Sequence, residues 1–287
     1  MKKIYSKFFD FLEIGDDFPT VIMGVLNLSP ESFYKGSVYE DLNSLEKAAL
    51  NMVDNGAKIL DLGARSTAPW SKKITIKEEI DRIIPSMEIV SKIIPDDIII
   101  SVDTQYHEVA QECYHIASKD NKKIMINDVS CLKTDLKLAD FIIDNNLPVI
   151  LMASKRIPGD LLTIDEIIME FKKTIKILKM KGFDETKIIL DPGIGHWIEE
   201  KKYNYDLKII NNLIKLKTLN KPILIAVSRK SFIGSTLNLP EPDNRLNGTL
   251  SATSIAVFNG AHIVRTHDVN QQLLEIVKMA EEIRKNI

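Results

Sequence analysis

Residues 163–193 read TIDEIIMEFKKTIKILKMKGFDETKIILDPG, and this stretch decides the fold. Thr163 is followed three positions later by Glu166, the pairing that satisfies the free N–H groups of a helix's first turn. Ile164, Ile167, Ile168, Phe171, Ile175 and Leu178 then recur at helical spacing, so one face is apolar while lysines occupy the other. Gly182 stops the helix. A short, continuous apolar run at 187–190 has the pattern of a strand covered on both faces. It ends in Asp191-Pro192-Gly193. The unit is an amphipathic helix feeding a buried strand whose far end is polar.

The same unit recurs in both directions along the chain. Strand-like runs lie at 21–26, 58–62, 98–102, 123–126, 148–152, 187–190, 222–226 and 262–265. Helix-like segments lie at 44–55, 77–93, 106–117, 136–145, 164–181, 205–219, 246–258 and 270–285, with Gly56 and Gly260 as further stops. Strand–helix pairs repeated roughly eight times predict a closed (β/α)₈ TIM barrel of the α/β class. All of 1–287 is read as one domain. An open doubly wound sheet makes the same local pattern, but no G-x-G-x-x-G turn follows the strand at 21–26 and no linker divides the chain. Residues 1–17 are expected to cover the bottom of the barrel or to form a small hairpin ahead of it.

Composition narrows the function. The 287 residues are 45% hydrophobic and 27% charged, with a net charge of −2, so no basic field marks a nucleic-acid or membrane-surface binder. Two cysteines, Cys113 and Cys131, give neither a disulfide framework nor metal-ligand spacing. No window reaches the roughly 18 apolar residues of a membrane span. Acidic residues from Asp10 to Asp17 interrupt what would be a secretory signal. A soluble, cytoplasmic protein is expected.

The polar residues gather at the strand ends. Taken in order, these ends carry Asn27, Asp61, Asp103, Asn127-Asp128, Met152, Asp191, Ser228-Arg229-Lys230 and Arg265-Thr266-His267-Asp268. A lone aspartate there often caps the next helix. A barrel, however, brings all these ends around one opening, where burying so many polar groups for stability alone is costly. Asp103, Asn127 and Asp191 supply acceptors and an amide for the N–H edge of a flat heterocycle, and Lys230 a fixed donor. Arg265 and His267 precede the last helix, a common place for a phosphate group.

At this point a family becomes recognisable. Met23-Gly24-Val25-Leu26-Asn27-Leu28-Ser29-Pro30-Glu31-Ser32-Phe33 resembles the first signature of dihydropteroate synthases. The resemblance continues at Ser101-Val102-Asp103-Thr104, Ile126-Asn127-Asp128-Val129-Ser130, Asp191-Pro192-Gly193-Ile194-Gly195, Ser228-Arg229-Lys230-Ser231 and Arg265-Thr266-His267-Asp268. It implies condensation of a dihydropterin diphosphate with an aromatic amine and release of pyrophosphate. It also implies Mg²⁺ as cofactor, a homodimer, and no nucleic-acid or membrane partner. Carried over position by position, Asp103, Asn127, Asp191 and Lys230 hold the pterin ring, with Met152 packed on its face. Asn27, Arg265 and His267 correspond to the diphosphate site, Asn27 also to the metal. Phe33, Ser66, Thr67, Pro69 and Ser228 match the region that admits the amine. The catalytic set is therefore Lys230, Arg265, His267 and Asn27.

Several positions depart from the family. The second loop, usually E-S-T-R-P-G, reads Arg65-Ser66-Thr67-Ala68-Pro69-Trp70; His196-Trp197 stands where Phe is usual; and Ala153-Ser154 replaces the second half of L-M-H-M. Arg65 and His196, with Lys201 and Lys202 nearby, suit a bulkier or phosphorylated acceptor. Two acceptors remain open: p-aminobenzoate, and the ribofuranosyl-aminobenzene phosphate of methanopterin biosynthesis. A pterin-dependent methyltransferase and a catalytically silent pterin binder are the other readings. Lys230 and the Arg265-x-His267 pair favour the synthase over the methyltransferase.

Overall fold

The computed structural model describes residues 3–29, 39, 41–67 and 71–286. The chain enters as a hairpin, β1 (Tyr5–Phe8) and β2 (Leu12–Gly15), and then alternates strands with helices. The strands are β3 (Val21–Asn27), β4 (Ile59–Gly63), β5 (Ile99–Asp103), β6 (Lys123–Asp128), β7 (Val149–Met152), β8 (Ile188–Asp191), β9 (Leu224–Ile225) and β10 (Ile263–Thr266). Around them lie α1 (Leu42–Asp54), α2 (Ile76–Ile93), α3 (His107–Lys119), α4 (Leu136–Asp144), α5 (Ile164–Met180), α6 (Tyr203–Asn211), α7 (Ser231–Leu237), α8 (Leu246–Phe258) and α9 (Gln271–Lys285). The strand order is β8-β7-β6-β5-β4-β3-β10-β9, every pair parallel, and a bridge between Leu190 and Ile223 closes the ring. This is the expected eight-stranded barrel.

The helices follow their sequence signals with two differences. In α5 the Thr163 hydroxyl accepts from Glu166 N while the Glu166 side chain returns to Thr163 N, and Gly182 turns the exit at φ 84. The single helix expected over 205–219 instead breaks at Asn212 into α6 and a 3₁₀ stretch, Leu213–Leu219. Helix α7, seven residues long, is too short to show a periodic pattern and was not expected.

Parity along the strands separates two cores. Even-numbered residues such as Leu60, Leu62, Ile100, Val102 and Ile126 face the helices. Odd ones on β3–β6 point into the barrel, where Met23, Ile59, Ile99, Met125, Ile150, Ile189 and Ile263 make an apolar lower layer. Phe8, Leu12 and Ile14 of the hairpin complete that layer, so the hairpin itself covers the bottom. Asp16 fastens it, bonding to the Lys217 ammonium at 2.5 Å and approaching His262 Nε2 at 3.3 Å. The upper interior is polar: Asp61 and Ser101 sit in register with Val25 and Met125, and Asp103 and Asn127 one step higher.

Candidate functional site

The upper ends of the strands enclose one cavity of about 320 Å³. Its walls include Asn27, Arg65, Ser66, Thr67, Asp103, Asn127, Met152, Asp191, His196, Lys230, Arg265 and His267, each named from sequence. Phe33 and Pro69 lie outside the described residues. Ser228 is buried and does not line the cavity; its hydroxyl instead meets His267 Nδ1 at 2.9 Å and receives His267 N at 3.3 Å. It thus stands beside His267.

Arg265 is the centre of the charge arrangement. Its Nε donates to Asp61 Oδ2 at 2.6 Å and a terminal nitrogen to Asp103 Oδ2 at 3.1 Å. Asn127 Nδ2 also donates to Asp61, at 3.2 Å, which leaves the Asn127 carbonyl toward the cavity. Asp61 is fully buried, and no role was assigned to it from sequence. The signal was present, since an odd-numbered carboxylate one layer below the site can only point inward. Burial, and then the charge of Asp61, holds the Asp103 carboxyl above the usual carboxylate range. Gly63 lies beside it, and a Cβ there would stand 3.3 Å from that of Asp103.

Lys230 and Asp191 face each other across the loop after β8. Burial lowers the Lys230 ammonium to about 8, against the opposing pull of Asp191. Burial likewise raises Asp191, whose carboxylate also accepts Gly193 N at 2.8 Å. Gly193 adopts φ 74, and its missing side chain leaves room against Ala153 O. Lys230 Nζ donates to Ile194 O at 2.6 Å and lies 5.6 Å from the Trp197 ring. Trp197, also in the cavity wall, bonds Gly193 O and Ile194 O through its indole N–H. His267 is held well below its ordinary value by burial and by the charges of Arg265, Lys230 and Arg229, so its ring is neutral.

Of the cations expected to serve a phosphorylated acceptor, Arg65 and Lys201 are held by protein partners, while Lys202 is exposed and does not line the cavity. Arg65 pairs with buried Glu79 at 2.5 Å and donates to Ile74 O and Thr75 O at 2.6 and 3.2 Å. Lys201 is fully buried, donating to Gly193 O at 2.5 Å, and His196 Nδ1 meets Lys201 O at 2.9 Å.

Comparison with known proteins agrees with this geometry. The profile of a family described as pterin binding enzyme matches residues 23–267. The dihydropteroate synthase of Bacillus subtilis is 37% identical over 264 residues, covering 91% of this chain and 88% of its own. A solved dihydropteroate synthase from Coxiella burnetii, in complex with pteroic acid, superposes with a TM-score of 0.84 at 34% identity, covering 99% of this chain and 100% of its own. One from Xanthomonas albilineans, with 4-aminobenzoic acid, gives 0.81 at 26% identity over 99% of each chain. An upper barrel layer of Asp103, Asn127, Asp191 and Lys230, an arginine clamped at its centre and relatives that match nearly end to end lead to one assignment. The chain belongs to the pterin-binding enzyme family, among the dihydropteroate synthases.

Proposed function

We propose that the chain joins 6-hydroxymethyl-7,8-dihydropterin diphosphate to p-aminobenzoate and releases pyrophosphate. The observation that carries this is that one cavity is lined together by ring-edge acceptors, Lys230, Arg265, His267 and Asn27. A pterin presents N–H and NH₂ donors that suit Asp103, Asn127 and Asp191, and acceptors that suit Lys230. Met152 offers an apolar face. As the C–O bond to the diphosphate breaks, charge moves onto the leaving oxygens, where Arg265 stands ready and already oriented by two carboxylates. His267, neutral in the free site, supplies a hydrogen bond to those oxygens as that charge builds. The amine then attacks a methylene held in place, so orientation does most of the work.

Mg²⁺ belongs to this reading. Among the described residues, no three His, Cys, Asp or Glu side chains gather to hold a metal, while Asn27 brings one neutral oxygen to the cavity. Such a donor set does not suit an ion held by protein alone; it suits one that arrives on the diphosphate and keeps most of its water. Held there by the diphosphate and Asn27, it would supply positive charge to the leaving group. Among the acceptors, p-aminobenzoate is preferred because Arg65 is paired with Glu79 and Lys201 is buried, which leaves a riboside phosphate without those partners. A homodimer is part of the proposal, supported by Ile255 and Phe258 of α8, 51% and 40% exposed. No helix is long and apolar enough to cross a membrane among the described residues, and the reduced, buried Cys113 and Cys131 suit a cytoplasmic setting.

The test is pyrophosphate release from the pterin diphosphate with Mg²⁺, given p-aminobenzoate in one reaction and the ribofuranosyl-aminobenzene phosphate in another. Release with p-aminobenzoate, abolished by Lys230→Ala, is expected. Release only with the phosphorylated riboside would replace the acceptor. Methyl transfer from a methyl-pterin, with no pyrophosphate from either amine, would replace the reaction.

A further inference from the structure

The loops after β9 and β10 are bound to each other by a pair whose own side chains do not line the cavity, though Arg229 bonds Pro242 and Arg245, which do. Arg229 Nε and Nη2 donate to Asp268 Oδ2 and Oδ1, both at 2.8 Å, a two-pronged contact with an arginine side chain only 7% exposed. Arg229 Nη1 donates to Pro242 O at 3.0 Å and Asp243 O at 2.9 Å. Its backbone is held as firmly: the N–H donates to Thr249 Oγ1 at 2.9 Å and the carbonyl accepts from Arg245 Nη1 at 3.0 Å. Neither Arg229 nor Asp268 is among the residues lining the cavity.

The backbone of Arg229 is left-handed, with φ 55, a conformation that costs any residue but glycine and persists only where its surroundings enforce it. That turn sends two successive side chains to different places. Lys230 reaches Ile194 O at the cavity, and Arg229 reaches across to the β10 loop. The residue before Asp268 is His267, which a second tie, through Ser228 Oγ, holds to the same β9 loop. One loop therefore presents Lys230, the other His267, and the Arg229–Asp268 pair bridges them.

We infer that Arg229 and Asp268 are positioning residues that fix Lys230 and His267 relative to one another, and so set the distance between the ring-holding and diphosphate-holding halves of the site. The inference rests on the functional reading above, in which those two side chains grip opposite ends of one substrate. A substrate whose scissile bond lies between two grips reacts only if both are in place together, and a displacement of about 1 Å costs on the order of a hundredfold. An arginine suits this role because its planar fork fixes orientation as well as distance; a lysine keeps the charge and loses the fork.

The experiment uses Arg229→Lys, Asp268→Asn and the double variant, each first checked for folded fraction by thermal unfolding. Affinity for 6-hydroxymethylpterin, which carries the ring without the diphosphate, is measured beside kcat/KM for amine-dependent pyrophosphate release. Ring affinity is expected within about twofold of the parent in all three, with kcat/KM about 30- to 100-fold lower in each single variant. The double variant is expected to be no worse than the poorer single one, because the two residues act as a unit. The inference is overturned by losses that follow the folded fraction, by multiplicative losses in the double variant, or by an equal fall in ring affinity. A parent protein that binds the ring yet releases no pyrophosphate with any amine would instead sink the functional reading, and this inference with it.

Discussion

Replacing Asp61 by asparagine tests whether the barrel's upper interior is organised around one buried carboxylate. Asp61 is fully buried and takes the Arg265 Nε–H at 2.6 Å and the Asn127 amide at 3.2 Å. Hydrogen bonds to a charged group contribute about 1.5–3 kcal/mol each. The asparagine keeps one carbonyl and turns an NH₂ toward a donor, so roughly one charged contact and part of the second are lost. Arg265 retains Asp103 at 3.1 Å, which limits the damage. A loss of about 3 kcal/mol follows, equivalent to about two orders of magnitude in the folding constant. Urea unfolding followed by tryptophan fluorescence measures it, and Ser101→Ala is the control. Ser101 is Asp61's neighbour in register, and its buried hydroxyl has no hydrogen-bond partner, so its removal should cost nothing or stabilise. An Asp61→Asn protein within 1 kcal/mol of the parent, with unchanged pyrophosphate release, would refute the argument that Asp61 orients Arg265.

Three further outcomes follow from the same geometry. Pterin affinity should be bell-shaped in pH: Lys230 must be protonated to donate and loses its proton above about 8, while Asp103, raised by burial, must be ionised to accept, so binding also weakens as pH falls through its elevated range. Calorimetry from pH 5.5 to 9.5 checks this, and Lys230→Met should weaken binding overall and remove the alkaline limb; a profile flat across neutrality contradicts it. Gly63→Ala places a methyl 3.3 Å from the Asp103 Cβ and should weaken pterin binding about tenfold, about 1.4 kcal/mol, with the melting temperature nearly unchanged. Phe8→Ala opens the apolar layer where the hairpin plugs the barrel and should cost about 3–5 kcal/mol in urea unfolding while leaving pterin affinity intact.

The fold was legible because each strand in this class is covered on both faces and reads as a short apolar block, and several helices carry their own start and stop. Elements without such patterns escaped: α7 is too short for a period, and the break at Asn212 interrupts a stretch whose residues suit a continuous helix. At the site, Asp103, Asn127, Asp191 and Lys230 were readable because they stand where strands end. Their partners were less so. The fate of Arg65 depended on Glu79, fourteen residues away on another element, and no spacing rule joins a loop cation to a helix carboxylate it meets only after folding.

That difference has a consequence for specificity. A charge in an active-site loop reads in sequence as free to meet a substrate, and here such a reading made Arg65 a candidate phosphate ligand. Once paired with a carboxylate that has no exposure of its own, the guanidinium cannot turn outward without leaving Glu79 charged, buried and short of its ion partner, a cost of several kcal/mol. The Glu79 carboxylate is further held by Thr104 Oγ1 at 2.7 Å, one residue beyond Asp103. The arginine that replaces the family's acid in the second loop therefore ties that loop to the end of β5, which carries Asp103. Arg65 lines the cavity, yet its guanidinium is committed to Glu79, so a cavity-lining charge need not be one that a substrate can claim.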